Sequence, residues 1–240
     1  MKKYDTAIFE KAMKSFFVSV SDSQIAQFLA YYEILVEWNS VMNLTAITEY
    51  EEVMIKHFVD SLSLAAYMDL TAVHSLIDVG TGAGFPGIPL KIVFPELKVT
   101  LLDSLKKRIR FLEEVIGNLG LEGIEVFHGR AEDYARFEKM RESYDLCVSR
   151  AVANLSTLSE YCLPFVRVGG LFVPYKSEKI SDELPGAEKA IRLLGGKLIE
   201  KNDFTLPVSD MNRTILLIRK IKETPARFPR KAGIPSREPL

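Results

Sequence analysis

Four glycines within eight residues constrain the fold of this chain more than any other feature. They lie in the segment 80–87, GTGAGFPG, directly after the strand-like run 76–79. A helical pattern follows, and a second strand-like run, 99–102, ends at Asp103, 19 residues after Gly84. Glycines let the backbone turn sharply and approach a ligand closely, and this order of elements builds a nucleotide-binding βαβ unit. We therefore predict that Asp103 accepts hydrogen bonds from a ribose diol.

Strand and helix patterns alternate beyond the glycine turn, which is typical of a doubly wound α/β sheet. We predict five parallel strands, the fifth starting after a turn at Gly169–Gly170, and then an antiparallel hairpin of strands at 196–199 and 213–221. The result is a mostly parallel seven-stranded sheet. Ligands bind at the carboxyl ends of the strands in such sheets. The residues predicted at those ends are Gly80, Asp103, the segment 130–132, Ser149–Arg150 and Lys176.

The chain divides into three predicted parts: a helical extension packed on the core at 1–68, a ligand-binding domain at 69–222, and a basic, proline-rich tail at 223–240. Ser21 and Gln24 have the spacing of a capping box at the start of the second helix. The tail shows no helix or strand pattern.

The third predicted helix, 50–68, places His57 and Asp60 on one face. The simplest interpretation is a local polar contact on a surface helix. A serine-hydrolase site is not supported there, because one helix face cannot supply a separate nucleophile elbow and oxyanion hole.

Composition limits the class of protein. The chain has 240 residues, 48% of them hydrophobic, which suffices for one α/β core with a small extension. Cys147 and Cys162 form no CxxC motif or His/Cys cluster, which argues against structural zinc. No stretch approaches the roughly 18 uncharged apolar residues of a membrane span. We expect a monomeric cytoplasmic protein without a metal or a membrane.

The charge is unevenly distributed. Residues 213–240 hold eight Lys or Arg and two Glu, a net charge of +6, whereas residues 1–212 carry −7. A basic end on an acidic body indicates an anionic partner. We predict that Arg230 and Lys231 contact phosphates and that Phe228 stacks on a base. A disordered solubilising tail remains the alternative.

Two enzyme classes use a glycine turn with an acid on the second strand: nicotinamide dehydrogenases and S-adenosylmethionine methyltransferases. The second class is favoured by a polar turn at Ala131–Glu132 suited to an adenine, by the antiparallel hairpin, and by the lack of a long second half. An NAD(P)-dependent oxidoreductase and a non-catalytic RNA-binding module stay open as alternatives.

Seven collinear segments together resemble the bacterial ribosomal RNA small-subunit methyltransferase G family, also called glucose-inhibited division protein B. The resemblance extends over nearly the whole chain, and the glycine loop together with the tail is far more selective than a bare glycine pattern. The segments are NLTAI (43–47), KHFVDSL (56–62), IDVGTGAGFPGIPLKI (77–92), DSLKKR (103–108), GRAED (129–133), SRAVA (149–153) and FPRKAGIPSREPL (228–240).

The resemblance implies a class I methyltransferase that transfers a methyl group from S-adenosylmethionine to N7 of one guanine in the 530 loop of 16S ribosomal RNA. It implies the 16S RNA or the small ribosomal subunit as partner, with Arg150 and Lys176 as candidate substrate contacts. The implied cofactor-binding residues are Gly80, Gly82, Phe85, Asp103, Ser104, Leu105, Ala131, Glu132 and Arg150. Candidate RNA-binding residues are His57, Asp60, Arg213, Arg230 and Lys231. Lys176 is followed by Ser177, where the family usually has glycine.

The residue chemistry is consistent with N7 as the target. Methylation of an exocyclic amine usually uses an Asn/Asp-Pro-Pro-aromatic loop after the fourth strand, where this chain has SRAVA. Methylation of a pyrimidine C5 needs a thiolate, and both cysteines are expected in the core. Guanine N7 carries a lone pair and no proton, so its methylation needs positioning and no general base. No base is identified in the sequence.

Overall fold

The computed structural model describes residues 4–150, 152–178 and 180–240, and across them seven strands form one sheet. The strands are β1 Ser75–Val79, β2 Lys98–Asp103, β3 Ile124–His128, β4 Tyr144–Arg150, β5 Val166–Ser177, β6 Gly196–Thr205 and β7 Asn212–Lys220. Their order across the sheet is β3-β2-β1-β4-β5-β7-β6. Strands β1 to β5 pair in parallel, and β7 runs antiparallel between β5 and β6. The predicted mostly parallel sheet with its antiparallel hairpin is confirmed.

Helices cover both faces of this sheet. They are α1 Ala7–Ser15, α2 Asp22–Met42, α3 Tyr50–Val53, α4 Asp60–Leu62, α5 Gly87–Val93, α6 Lys106–Leu119, α7 Ala131–Tyr134, α8 Leu155–Cys162, α9 Ile180–Leu193 and α10 Ile234–Arg237. A π-helical segment, Met54–Val59, joins α3 to α4, and short 3-10 turns follow at Ser63–Ala66, Leu70–Ala72 and Leu163–Phe165.

Neighbouring residues of each central strand enter different hydrophobic clusters, because successive side chains point to opposite faces of a sheet. In β1, Leu76 joins a cluster that contains α1, α2 and α6, whereas Ile77 joins one that contains α8 and α9. Phe28 and Tyr31 of α2 are fully buried in the first cluster. The N-terminal extension therefore shares the core of the sheet. The division into three parts stays a prediction.

The capping box at the start of α2 also anchors the extension. The Ser21 side chain accepts from the Gln24 backbone at 3.3 Å, and Gln24 Oε1 accepts from the Ser21 backbone at 2.8 Å. Gln24 Nε2 then donates to the Ile92 carbonyl at 2.8 Å. One side chain thus stabilises the helix start and ties α2 to the end of α5.

The predicted turn at Gly169–Gly170 is wrong. Strand β5 begins at Val166 and runs through both glycines, with an irregular register against β4. Gly170 fits there because an added Cβ would lie 2.7 Å from the Asp145 carbonyl oxygen. The pair therefore forms a bulge within the strand.

The third helix also differs from its prediction. Its regular α-helical portion ends at Leu62, not Met68, and the π-helical turn changes the angular spacing of His57 and Asp60. Asp60 is 4% exposed, so the expected local contact on a surface helix is wrong. The tail differs from its prediction as well, because it contains the short helix α10.

Tyr31 joins the extension to the glycine loop, and its removal provides a test of that connection. Its buried hydroxyl donates to the Ala83 carbonyl. We expect Tyr31→Phe to lower the free energy of unfolding by about 1–2 kcal/mol, since a buried acceptor loses its donor. Tyr32→Phe is the matched control, because the Tyr32 hydroxyl donates to the Thr48 carbonyl at 3.1 Å in a partly exposed place. Equal urea-denaturation midpoints for both variants would contradict a special role for Tyr31.

Candidate active site

A cavity of about 1010 Å³ opens at the carboxyl ends of β1, β2, β4 and β5. One wall is the glycine loop with Asp103 and Ser104. Another part of the wall comes from the N-terminal extension and holds Thr45, His57 and Asp60. The sheet and the extension thus both contribute to the cavity wall.

The glycine loop leaves space for a ligand at Gly82. This residue has a φ of +63°, and an added Cβ would meet nothing within 4 Å, so the backbone borders the open cavity. Gly80 also has a positive φ, +71°, and an added Cβ there would lie 2.6 Å from the Val152 side chain. The Gly80 backbone donates to the Leu102 carbonyl at 2.8 Å, which fixes the loop to β2.

Asp103, at the end of β2, is 2% exposed and organises the adjacent backbone. Its carboxyl group accepts from the backbone of Gly82 at 2.9 Å and of Leu105 at 2.9 Å. Arg108 donates to the same carboxyl group at 3.0 Å. The Leu105 side chain is 43% exposed and lies outside the cavity wall, so its contribution here is its backbone N–H.

Asp78 lies beneath the loop and is fully buried. Its Oδ2 accepts from the Thr81 hydroxyl at 2.7 Å and from the Gly87 backbone at 2.8 Å. Oδ1 has no hydrogen-bond partner among the described residues. Burial raises the pKa of this carboxyl group to about 7. An acceptor is therefore left unused next to the loop.

Asp60 joins three segments that are distant in sequence. Its Oδ2 accepts from Arg150 at the end of β4, and its Oδ1 accepts from Arg213 of β7, both at 3.0 Å. Arg150 also donates to the Lys56 carbonyl at 3.2 Å, and its guanidinium lies 5.0 Å from the Phe85 ring centre. The two arginines are therefore held on the cavity wall in fixed orientations.

His57 stacks on Phe85, with ring centres 4.6 Å apart. Burial, and secondly the charge of Arg150, lower the pKa of His57 to about 3, so the ring is neutral at pH 7. Nδ1 lies 3.4 Å from an Arg150 nitrogen, and Nε2 lies 2.8 Å from the Thr45 hydroxyl. Arginine can only donate, which makes Nδ1 the acceptor and places the proton on Nε2. Both ring nitrogens are engaged.

Lys176, at the end of β5, is held by two acceptors. Its ammonium group donates to the Ala153 carbonyl at 2.7 Å and to Glu183 at 2.8 Å. Glu183, from α9, also accepts from the Leu155 backbone at 2.7 Å. Ser177 continues β5 and lines the cavity beside Lys176.

Several cavity residues were missed by the sequence analysis. Thr45, Lys56 and Arg108 lie inside motif segments that the sequence analysis singled out, so a signal for them existed. Arg108 in particular contacts Asp103. Glu183 lies in a helix without any motif, and no sequence signal pointed to it.

A family model described as GidB, rRNA small subunit methyltransferase G, matches residues 24–210. The chain is 54% identical over 236 residues to the ribosomal RNA small subunit methyltransferase G of Lachnoclostridium phytofermentans, with 98% of each chain covered. It is 55% identical over 221 residues to the protein of the same name from Alkaliphilus metalliredigens, with 92% of each covered. The chain belongs to the rRNA small subunit methyltransferase G family.

The fold agrees with this family membership. A solved S-adenosylmethionine-dependent methyltransferase from Aquifex aeolicus superposes with a TM-score of 0.53 at 14% identity, over 71% of this chain and 94% of that one. At this identity the likeness concerns the fold alone, which is that of class I S-adenosylmethionine-dependent methyltransferases. The nicotinamide oxidoreductase alternative is not supported.

The residues around the loop suit the methyl donor of such enzymes. Gly82 exposes its backbone to the cavity, Asp103 offers a carboxyl group for a diol, and Asp78 keeps one acceptor without a partner. S-adenosylmethionine carries hydroxyl and ammonium donors that match these acceptors. This chain therefore has the groups required to hold it.

The Ala131–Glu132 turn lies away from the cavity wall described above. Glu132 is 3% exposed, and its carboxyl group accepts from the Gly233 backbone of the tail at 2.9 Å. Its side chain is thus engaged with the tail. Ala131 is 9% exposed and starts α7.

The structure separates the five predicted RNA-binding residues. His57, Asp60 and Arg213 meet on the cavity wall. Arg230 is ion-paired with the buried Glu160, and Lys231 is exposed.

Phe228 is 4% exposed in the hydrophobic core. The expectation that it stacks on a base does not hold in this structure, because its ring is covered.

Two structural features are absent from the described part of the chain. No helix in it is long and apolar enough to span a bilayer. It also contains no group of three or more His, Cys, Asp or Glu side chains placed to hold a metal ion.

His57 predicts an acid-sensitive contribution to stability. Between its ordinary pKa of 6.5 and its folded value of about 3, the unfolded chain binds a proton that the folded chain does not. The free energy of unfolding therefore falls as pH falls. From pH 7 to pH 5 we expect wild type to lose roughly 1–2 kcal/mol more than His57→Gln in urea titrations.

The raised pKa of Asp78 has the opposite effect on how the free energy of unfolding changes with pH. Wild type and His57→Gln share this effect, so it cancels when the two are compared. His128→Gln, which removes an exposed imidazole, is the matched control. Identical pH profiles for wild type and His57→Gln would show that burial of this ring has no such effect.

Proposed function

We propose that this chain methylates N7 of a guanine in the 530 loop of 16S ribosomal RNA, within the small-subunit RNA substrate that its family name denotes. One observation carries the proposal. A single cavity joins a loop suited to S-adenosylmethionine to a group of cations from the N-terminal extension, α6, β4, β5 and β7.

The charges of the cavity exceed what the methyl donor requires. Lys56, Arg108, Arg150, Lys176 and Arg213 line it, opposed by three carboxyl side chains, those of Asp60, Asp103 and Glu183. S-adenosylmethionine is itself a cation at neutral pH, so it does not account for the surplus positive charge. RNA phosphates do, because Lys and Arg neutralise them. The arrangement supports an anionic second substrate at the same cavity.

The cofactor is assigned to the wall formed by the loop. Gly80, Gly82 and Phe85 border its central part, and Asp103 accepts from the ribose with Ser104 and Leu105 alongside. Ala131–Glu132 is assigned to the adenine, and Arg150 to the junction with the RNA. S-adenosylmethionine, when bound, supplies an electrophilic methyl group.

The remaining task of the chain is to position the base. Guanine N7 has a lone pair and no proton, so the site needs no residue to remove one. This agrees with His57, whose two nitrogens are engaged by Arg150 and Thr45. We assign His57 to orienting Phe85 and Arg150, not to proton transfer.

Lys176 and Glu183 are our candidates for recognising guanine. Guanine presents an acceptor, O6, next to the donors N1–H and N2–H, and adenine presents the opposite order at the first two positions. An adjacent ammonium and carboxyl group, such as this pair, matches guanine. Both residues line the cavity near Arg150.

The function is tested by incubating the protein with labelled S-adenosylmethionine and small subunits that lack the modification. We expect label in 16S RNA, and nucleoside mass mapping should place it as 7-methylguanosine in the 530 loop. Label at another atom would correct the target, and absence of label from the RNA would refute the proposal.

Asp103→Asn tests the cofactor assignment. Loss of a charged acceptor for the ribose should weaken S-adenosylhomocysteine binding by about 1.5–3 kcal/mol, or roughly tenfold to a hundredfold in Kd. Calorimetry measures the affinity, and thermal melting shows whether the chain is folded. Asp210→Asn, which removes an exposed carboxyl group, is the control.

An unchanged affinity in folded Asp103→Asn would remove Asp103 from the cofactor site. Unchanged RNA methylation alongside it would also contradict the assignment. A non-catalytic RNA-binding module predicts instead that neither wild type nor variant modifies the RNA.

A further inference from the structure

The basic tail is bound to the core along its length. Thr224 donates its hydroxyl to the Leu194 carbonyl at 2.7 Å, and Arg141 donates to the carbonyls of Thr224 and Phe228 at 2.7 and 2.9 Å. Beyond the buried Phe228, Thr157 of α8 donates to the Pro235 carbonyl at 3.0 Å. We call residues 224–240 the tail clasp.

Its strongest contact is the pair of Arg230 with Glu160. Glu160, on α8, is 0% exposed. Its Oε1 accepts from the Arg230 backbone at 2.7 Å and from Nε at 3.0 Å, and its Oε2 accepts from a terminal guanidinium nitrogen at 2.7 Å. A buried carboxylate without such partners is strongly destabilising. The arginine is therefore engaged with the core through this pair.

The clasp continues from this pair to the turn assigned to the adenine. Three residues after Arg230, the Gly233 backbone donates to Glu132 at 2.9 Å. The turn follows β3, whose end pairs with the end of β2 at Asp103, and the Gly129 backbone donates to the Asp103 carbonyl at 3.0 Å. The tail is thus connected to the end of β2 at Asp103 through the short segment 129–132.

The same segment also secures the start of α8. The Ser156 hydroxyl donates to the Leu240 carbonyl at 2.8 Å, and Ser156 lies shortly after the end of β4, where Arg150 enters the cavity. The tail clasp is therefore bonded to the elements that follow both β3 and β4.

We propose that the tail clasp supports the cofactor site, with Arg230 as a positioning residue that holds the Ala131–Glu132 turn through Gly233. The inference rests on the proposed function, because the adenine is assigned to that turn. Since the Glu132 side chain is bonded to the tail, the turn offers the cofactor its backbone, and the clasp fixes where that backbone lies. Pre-organisation of this kind raises affinity by lowering the ordering cost of binding.

The test compares Arg230→Gln with Lys231→Gln in the full chain. Each variant removes one cation at neighbouring positions, but only Arg230 is paired in the core. We expect Arg230→Gln to weaken S-adenosylhomocysteine binding about tenfold in calorimetry, and Lys231→Gln to stay within about twofold of wild type. Arg230→Lys keeps the charge without the forked geometry, so it should recover part of the loss.

Hydrogen exchange distinguishes positioning from general destabilisation. Arg230→Gln should raise exchange at amides 131–135 and 224–240, while amides of β1 and β2 keep wild-type protection. In turnover assays KM for S-adenosylmethionine should rise, while KM for RNA and its salt dependence stay unchanged. If Arg230→Gln does not fold, Arg230→Lys is measured in the same way.

Wild-type cofactor affinity in the folded Arg230 variants would overturn the clasp. A loss of protection spread evenly over β1 and β2, or a change confined to KM for RNA, would do the same. If wild type binds no S-adenosylhomocysteine, the proposed function fails instead, so the two failures are distinguishable.

Discussion

The site depends on one electrostatic constraint: a carboxylate that is charged inside the protein needs compensating partners, and in two places here these partners are cations. Breaking such a pair from one side typically costs about 3–5 kcal/mol. Asp60 meets this requirement with Arg150 and Arg213, and Glu160 meets it with Arg230. Each pair joins segments that lie far apart in the chain. The requirement therefore determines where the N-terminal extension and the tail can lie on the sheet.

The sheet determines which residues lie at the edge that the extension covers. Parallel strands align their carboxyl ends along one edge, which brings the glycine loop, Asp103, Arg150 and Lys176 together there. The extension then closes the open side of that edge with Thr45, His57 and Asp60. A cavity results where an uncovered sheet edge would offer only a groove, and the extension therefore lines the cavity in which we propose the active site.

Whether a sequence prediction succeeded depends on how far apart in sequence the interacting residues lie. The glycine loop, the acid on β2, the capping box and the hairpin depend on neighbouring residues or on strand pairing, and their positions were predicted. The predicted surface contact of His57 with Asp60 was wrong, because Asp60 pairs with Arg150 and Arg213, which are distant in sequence. Arg230 carries the charge of an RNA contact, but Glu160, 70 residues earlier, binds it inside the fold.

The sequence by itself determined the class of fold, the family, and the loop that suits S-adenosylmethionine. Local backbone requirements, hydrophobic periodicity and selective motifs carry that information directly. Only the tertiary structure decided which cations face the cavity and which are used in the core, and that Glu183 stands beside Lys176. The physical reason is that charge is a property of a residue, whereas burial and pairing are properties of its place in the fold.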